Sequence, residues 1–300
     1  MKVLLKMGLF GLICHCMSPS VMAEELKVIY SPSPASKNDT RFDYGIKLLK
    51  HVLEKTISSH GSFKMIPAKG MNVGRAIEFL KADDIETVNV IWTTLSESRE
   101  SSLRPIRIPI RKGLLGYRIF LIKKQDQAKF AGIQALEELK ELRVGQGHIW
   151  NDVVVFKKNG FEVVTGANYE GLFRMLVEGR FDYFSRGINE APEEYESRKD
   201  KYPDLFIEDT ILLYYPWPKY FFTSKNNHAL AQRIEKGLRM MIQDGSFEEI
   251  FLEYHEKDIE RVNLKSRRLF RIENPLLPDT TPLDQKVLWF DPINSSTIAL

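Results

Sequence analysis

The chain has almost no cysteine. Two of its 300 residues are Cys, and both, Cys14 and Cys16, fall within the first 23. That stretch carries Lys2 and Lys6, an apolar run from Met7 to Ile13, a break at Pro19, and Val21 and Ala23 at the −3 and −1 positions of a cleavage site. The layout is that of a secretory signal peptide, too short and wrongly flanked for a membrane-spanning helix. Neither cysteine follows a small residue, since Ile13 and His15 stand there, so neither reads as a lipid-anchoring cysteine. The expected product, cleaved near Ala23, is periplasmic and cysteine-free, which excludes thiol catalysis, disulfides and cysteine-ligated metal in it.

Other absences narrow the field. No second run of 18 apolar residues exists, so the exported product is expected to be soluble. Without Lys2 and Lys6 the 43 Lys and Arg come almost level with the 40 Asp and Glu, and bulk charge supports neither a nucleic-acid nor a membrane-surface partner. His51, His60, His148, His228 and His255 show no metal-ligand spacing, so no metal site and no cofactor is expected. A Gly-x-Ser-x-Gly elbow is missing, which disfavours a serine hydrolase.

What is present is an alternation of strands and helices. Leu26 to Tyr30 reads as a strand, and Ser31 to Thr40 as a loop dense in turn formers. Ile46, Leu49, Leu53 and Ile57 give an amphipathic helix from about Asp43, and Asn72 can cap a second one carrying Val73, Ile77 and Leu80. Val88 to Trp92 is a buried strand, followed by a Thr/Ser-rich polar turn ending at Arg99, and residues 106–122 are strand-rich. The pattern then restarts. Helices are expected at Ile133 to Leu142, after the glycine turn at 145–151 and from Tyr169 to Val177, with strands at 143–145, 162–164 and 181–185. An aromatic strand from Thr210 to Lys225 returns, two helices from about Ala229 and Ser246 close the unit, and the Pro-containing segment from Lys265 reads as a surface tail pinned by Leu288, Trp289 and Phe290. Such alternation implies mainly parallel sheets covered on both faces. An arginine just past the carboxyl end of a strand, like Arg99, stands where an open α/β sheet places a ligand group.

Four local matches, in order, point to a family. They are Ser96 to Arg99 against a Thr-x-x-Arg ligand loop, Leu136 to Gly145 against a Leu-x-x-Leu-Lys-x-x-x-Val-Gly run, Glu178 to Tyr183 against x-Gly-Arg-x-Asp-Ala, and Asp244 to Ile250 against Asp-Gly-x-x-x-x-Ile. With them the chain, up to about His255, resembles the family 3 extracellular solute-binding proteins, the periplasmic receptors of polar amino-acid ABC importers. The resemblance implies an α/β, two-lobed periplasmic binding protein-like fold of type II, each lobe a mixed, mainly parallel sheet flanked by helices, with two strands crossing between the lobes. The corresponding plan is a signal peptide at 1–23, lobe 1 at 24–120, an inserted lobe 2 at 121–218, a return to lobe 1 at 219–262 and an extension at 263–300. Crossings are placed near Arg118 to Lys123 and Lys219 to Thr223.

The resemblance also implies a ligand site. Arg99 would pair with a carboxylate, helped by Thr94 and by backbone groups around Leu95, while the helix start after Gly147 would favour an anion from the other lobe. His148 and Ile149 occupy the lobe 2 turn where the family offers threonines, Trp92 stands in place of a small residue, and Tyr30 can stack from the first strand. Arg186 replaces the usual acid that receives an α-amino group, so it either refits the cleft for something other than an ordinary amino acid or is salt-bridged to Glu190 or Glu193. Trp92 reads equally as core, and Arg99 as a loop arginine among Glu97 and Glu100.

The implied function is capture of a small polar or anionic, carboxylate-bearing solute by a monomeric, non-enzymatic protein for an inner-membrane ABC permease. The alternative is a ligand sensor module of the same fold without a transporter; a dehydratase-like enzyme acting on a cyclic carboxylate, with Glu97, Glu190 or His148 as candidates, is the third reading.

Overall fold

The computed structural model describes residues 25–31, 42–68, 71 and 73–292. The signal peptide, most of the loop after the first strand and the Asn72 cap lie outside them. In chain order the strands are β1 (Leu26–Ser31), β2 (Phe63–Pro67), β3 (Val90–Thr94), β4 (Arg104–Ile106), β5 (Tyr117–Lys123), β6 (Val144–Gly147), β7 (Val163–Gly166), β8 (Tyr183–Gly187), β9 (Leu205–Ile207), β10 (Ile211–Tyr214), β11 (Lys219–Thr223) and β12 (Arg268–Arg271). The α-helices are α1 (Asp43–Lys55), α2 (Ile57–His60), α3 (Val73–Lys81), α4 (Glu97–Ser102), α5 (Gln127–Gly132), α6 (Leu136–Lys140), α7 (Asp152–Lys158), α8 (Tyr169–Val177), α9 (Ala191–Glu196), α10 (His228–Asp244) and α11 (Ser246–Arg261).

Two sheets organise the molecule. The first has the order β2-β1-β3-β11-β4 and the second runs β12-β10-β5-β8-β6-β7, with β9 on β5. β1 pairs in parallel with β2 and β3, whereas β11 runs antiparallel to β3 and β4. Strands such as β5, buried along nearly their whole length, show why the apolar runs do not alternate: helices cover both faces. On one face of the first sheet Leu48, Leu49 and Val52 of α1 meet Ile234, Leu238 and Met241 of α10; on the other, Ile77 and Leu80 of α3 pack near Tyr220 and Phe222.

Where α1 crosses α10, Gly237 lets the backbones touch, because a Cβ there would stand 2.2 Å from the Val52 carbonyl oxygen. Gly237→Ala is therefore expected to force the helices apart at a cost of about 1–3 kcal/mol. The check is urea unfolding, where the midpoint falls with little change in slope; an unmoved midpoint would mean the crossing relaxes freely.

The passages between sheets lie a little earlier than the sequence places them. β5 pairs with β8, β9 and β10, all in the second sheet, and β11 only with β3 and β4 in the first. The chain thus changes lobe within residues 107–116 and 215–218. These two passages touch, Tyr215 N donating to Gly116 O at 3.2 Å, and a Cβ on Gly116 would lie 2.1 Å from Tyr215 O, so only glycine fits.

The segment after α11 is not a loose surface tail. β12 extends the second sheet, pairing in parallel with β10 from Ile211↔Arg268 to Tyr214↔Arg271. Beyond it, Asn274 donates to Pro216 O at 2.8 Å, Phe290 N to Lys112 O at 2.7 Å, and the Tyr117 hydroxyl to Phe290 O at 2.7 Å. Both passages are braced from behind. α11 adds to this, since Phe247 and Ile250 enter the first lobe's core while Phe251 and Ile259 enter the second's.

Candidate functional site

The first wall of the site is the carboxyl end of β3. The polar turn expected there is the short helix α4, capped by Ser96, whose hydroxyl accepts from Arg99 N at 3.4 Å, with Glu97 and Glu100 in its first turn. This turns Arg99 back over the strand end. Its Nη1 donates to Thr94 O at 2.9 Å and to Thr94 Oγ1 at 3.2 Å. Glu100, the nearby acid, is committed elsewhere, to Arg107 and the Thr280 hydroxyl. Among the described residues no carboxylate pairs with Arg99, and burial lowers the pKa of its guanidinium. A half-buried guanidinium with most of its five donors unspent is a receptor for a planar anion.

Lys219 joins it from β11. Residue 219 is directly opposite Thr94 in the antiparallel register, so both side chains leave the sheet on one face, the face on which Arg99 meets the Thr94 hydroxyl. Burial, and then Arg111 beside it, hold the Lys219 ammonium down to about 7. Arg111 lies over the Tyr44 ring at 5.5 Å and is likewise lowered by burial, with Tyr44, Glu190 and Asp258 opposing that shift. Neither Lys219 nor Arg111 has a carboxylate within ion-pair distance among the described residues.

The second lobe presents the opposite situation. Arg118 reaches Asp152 at 2.5 Å, and the Tyr215 hydroxyl donates to the same carboxylate oxygen at 2.5 Å. Arg186 donates twice from Nε and once from Nη2 to Glu194, at 2.6–3.0 Å, with Glu190 at 3.3 Å and the Trp150 ring stacked 4.8 Å from its Cζ. Burial raises the Glu190 carboxyl, but Arg186, Arg118, the Gly187 N–H and Arg111 outweigh it and leave the group below its ordinary value. Cations on this side are neutralised, and those on the β3/β11 side are not.

Of the residues singled out from sequence, Arg99 and Thr94 are brought together. Trp92 shares Thr94's face but lies one step deeper, 3% exposed, stacked on Tyr30 at 6.0 Å, edge-on to Phe221 and filling the space over Gly45. Both Trp92 and Tyr30 are therefore core beneath the site rather than an open stacking wall. Arg186 is buried with Glu194 as its main partner instead of facing a ligand with free donors. His148 and Ile149 stand exposed on the turn after β6. Two backbone donors expected to serve a ligand are already spent: Leu95 N on Pro218 O at 3.1 Å and His148 N on Gly166 O at 3.1 Å. Lys219 and Arg111 were not anticipated. The available signal was a lysine heading an otherwise apolar strand, Lys219-Tyr-Phe-Phe-Thr223.

No family model and no curated protein matches the chain. Among solved structures, a protein described as an ABC-transporter binding component of Wolinella succinogenes, complexed with lysine, is 17% identical over 76% of this chain and 94% of its own, with a TM-score of 0.50. A second substrate-binding domain ascribed to an amino acid ABC transporter of Streptococcus pneumoniae is 16% identical over 77% of this chain and 99% of its own, TM-score 0.50. The BvgS VFT2 domain of Bordetella pertussis is 17% identical over 76% and 92%, TM-score 0.50. Identities this low carry the fold alone, and with the two helix-flanked sheets described above they give this chain the two-lobed α/β architecture of periplasmic binding proteins.

Proposed function

We propose that this chain is an exported solute-binding protein that closes its two lobes over a small anion and passes it to a membrane permease of the ABC type. One observation carries the reading: Arg99, half-buried at the end of β3, is aimed by Thr94 and has no acidic partner among the described residues. A carboxylate placed there forms two parallel charge-assisted bonds in a site from which lobe closure excludes water. Acid–base catalysis has less support. Glu190 is held ionised by its arginines, and His148 is exposed with no carboxylate partner among the described residues. Binding is also what the names of the solved neighbours describe for those proteins.

Native mass spectrometry of the exported protein is expected to show a co-purified small anion, and deletion of the protein to abolish uptake of that solute. Intact uptake with altered signalling would move the reading to a sensor. Failure to bind any anion would remove it.

A further inference from the structure

We infer that the site has a second anion point, Lys219 with Arg111, and that its ligand is a small solute bearing two anionic groups, of the α,ω-dicarboxylate class. This rests on the proposed solute-binding function and narrows its substrate.

The argument starts from cost. Burying an ammonium without a counter-charge is expensive, and a neighbouring guanidinium adds to the expense. The fold nevertheless imposes both. Lys219 is fixed opposite Thr94 by the β3–β11 ladder, and its carbonyl accepts from Ile110 N at 2.8 Å, which brings Arg111 alongside. The charged and titratable groups facing this pair are Tyr44 from α1, Asp258 and His255 from α11 and Glu190 from the segment before α9; Tyr44, Asp258 and Glu190 act on Arg111 without forming an ion pair, and burial, then Arg111, hold His255 down to about 3, so it adds no charge here. None of them is a cause of the Lys219 shift, where burial and Arg111 act together and nothing opposes them. An anion at this point relieves both cations at once. Because Lys219 and Arg99 share one face, and Thr94 is the residue that links them, a single short ligand spans both points. The charges of Arg118 and Arg186 in the second lobe are already paired with Asp152, Glu190 and Glu194, so they offer no comparable free cation.

The test is calorimetry with the linear dicarboxylates from malonate to adipate, each beside its half-amide, a monoanion of the same length. At pH 6.5 the best dicarboxylate is expected to bind about tenfold or more tightly than its half-amide. Lys219→Met is expected to erase most of that preference. The wild-type protein provides an independent arm. Bound anion raises the Lys219 pKa, so binding above pH about 7 must take up a proton, and the dicarboxylate preference shrinks from pH about 6 to about 8.5 while half-amide binding stays level. A preference that survives Lys219→Met, or that is flat with pH, overturns the inference, as does tight binding confined to monoanions; in each case the Arg99 anchor stands. Binding by neither series overturns the inference, while the function stands or falls separately on whether a co-purified anion is found.

Discussion

Arg99→Ala is expected to weaken solute binding by about thirtyfold or more while leaving the protein folded. Truncating one partner of a buried, hydrogen-bonded charge pair costs about 2–5 kcal/mol, and each 1.4 kcal/mol is a factor of ten. Stability should barely respond, because among the described residues the Arg99 side chain supports no carbonyl other than Thr94 O, and it sits in a six-residue helix. Water reaches that carbonyl once the side chain is gone. Arg99→Lys keeps the charge and loses the planar fork, so its affinity should fall between the two. Calorimetry with the co-purified solute, alongside urea unfolding of both variants, separates a lost anchor from a lost fold. Undiminished affinity in Arg99→Ala, with native stability, would put the anion elsewhere and leave the Thr94–Arg99 contact as a cap on the strand end.

Much of the architecture was legible because it is written locally. Asn168, a residue type that caps helices, stands just before α8 and its side chain accepts from Gly171 N at 3.1 Å; Gly160, a residue type that stops them, has φ +84° just past α7. The apolar period of α1 and the strand-end position of Arg99 were likewise visible from short windows. What escaped was set by long-range register. Lys219 looks like any strand-leading lysine until β11 is paired with β3, and only then does it face Thr94. Arg186 was given Glu190 or Glu193 as partners; Glu190 does reach it, at 3.3 Å, but the closer contact is Glu194, which the entry of the chain into α9 brings onto it from eight residues away in sequence. Trp92 was legible as either core or wall, and its neighbours Tyr30, Phe221 and Gly45, which decide for core, come from three separate elements. β12 is only four residues, Arg-Leu-Phe-Arg, and has no strand signal of its own length; the free edge of β10 makes it a strand.

Removing residues 262–300 is expected to leave a chain that cannot hold its second lobe. Val262, Leu264, Phe270, Ile272, Leu288 and Phe290 are each less than a tenth exposed. Full burial of such side chains contributes about 1.5–3 kcal/mol apiece, an upper range, and six of them together rival the roughly 5–15 kcal/mol by which a whole protein is stable. Polar losses add to this. Arg267 donates to the carbonyls of Val262 at 2.7 Å, Glu208 at 2.6 Å and Ile211 at 3.1 Å, and faces the buried Glu208 carboxylate at 3.6 Å. Without it the Glu208 and Ile211 carbonyls and the buried Glu208 carboxylate lose a charged donor in a site with little water. The bare edge of β10 would also be free to pair with other chains, so insolubility is the first symptom to look for. Truncation after Glu273 provides the comparison. It keeps Arg267 and β12 but removes the contacts of Asn274, Trp289 and Phe290 with the two passages, so the protein should stay soluble and unfold at lower urea. If the longer deletion instead remains soluble and unfolds cooperatively at the wild-type midpoint, the segment is only a surface covering. The lobes would then be coupled by α11 and the two passages alone.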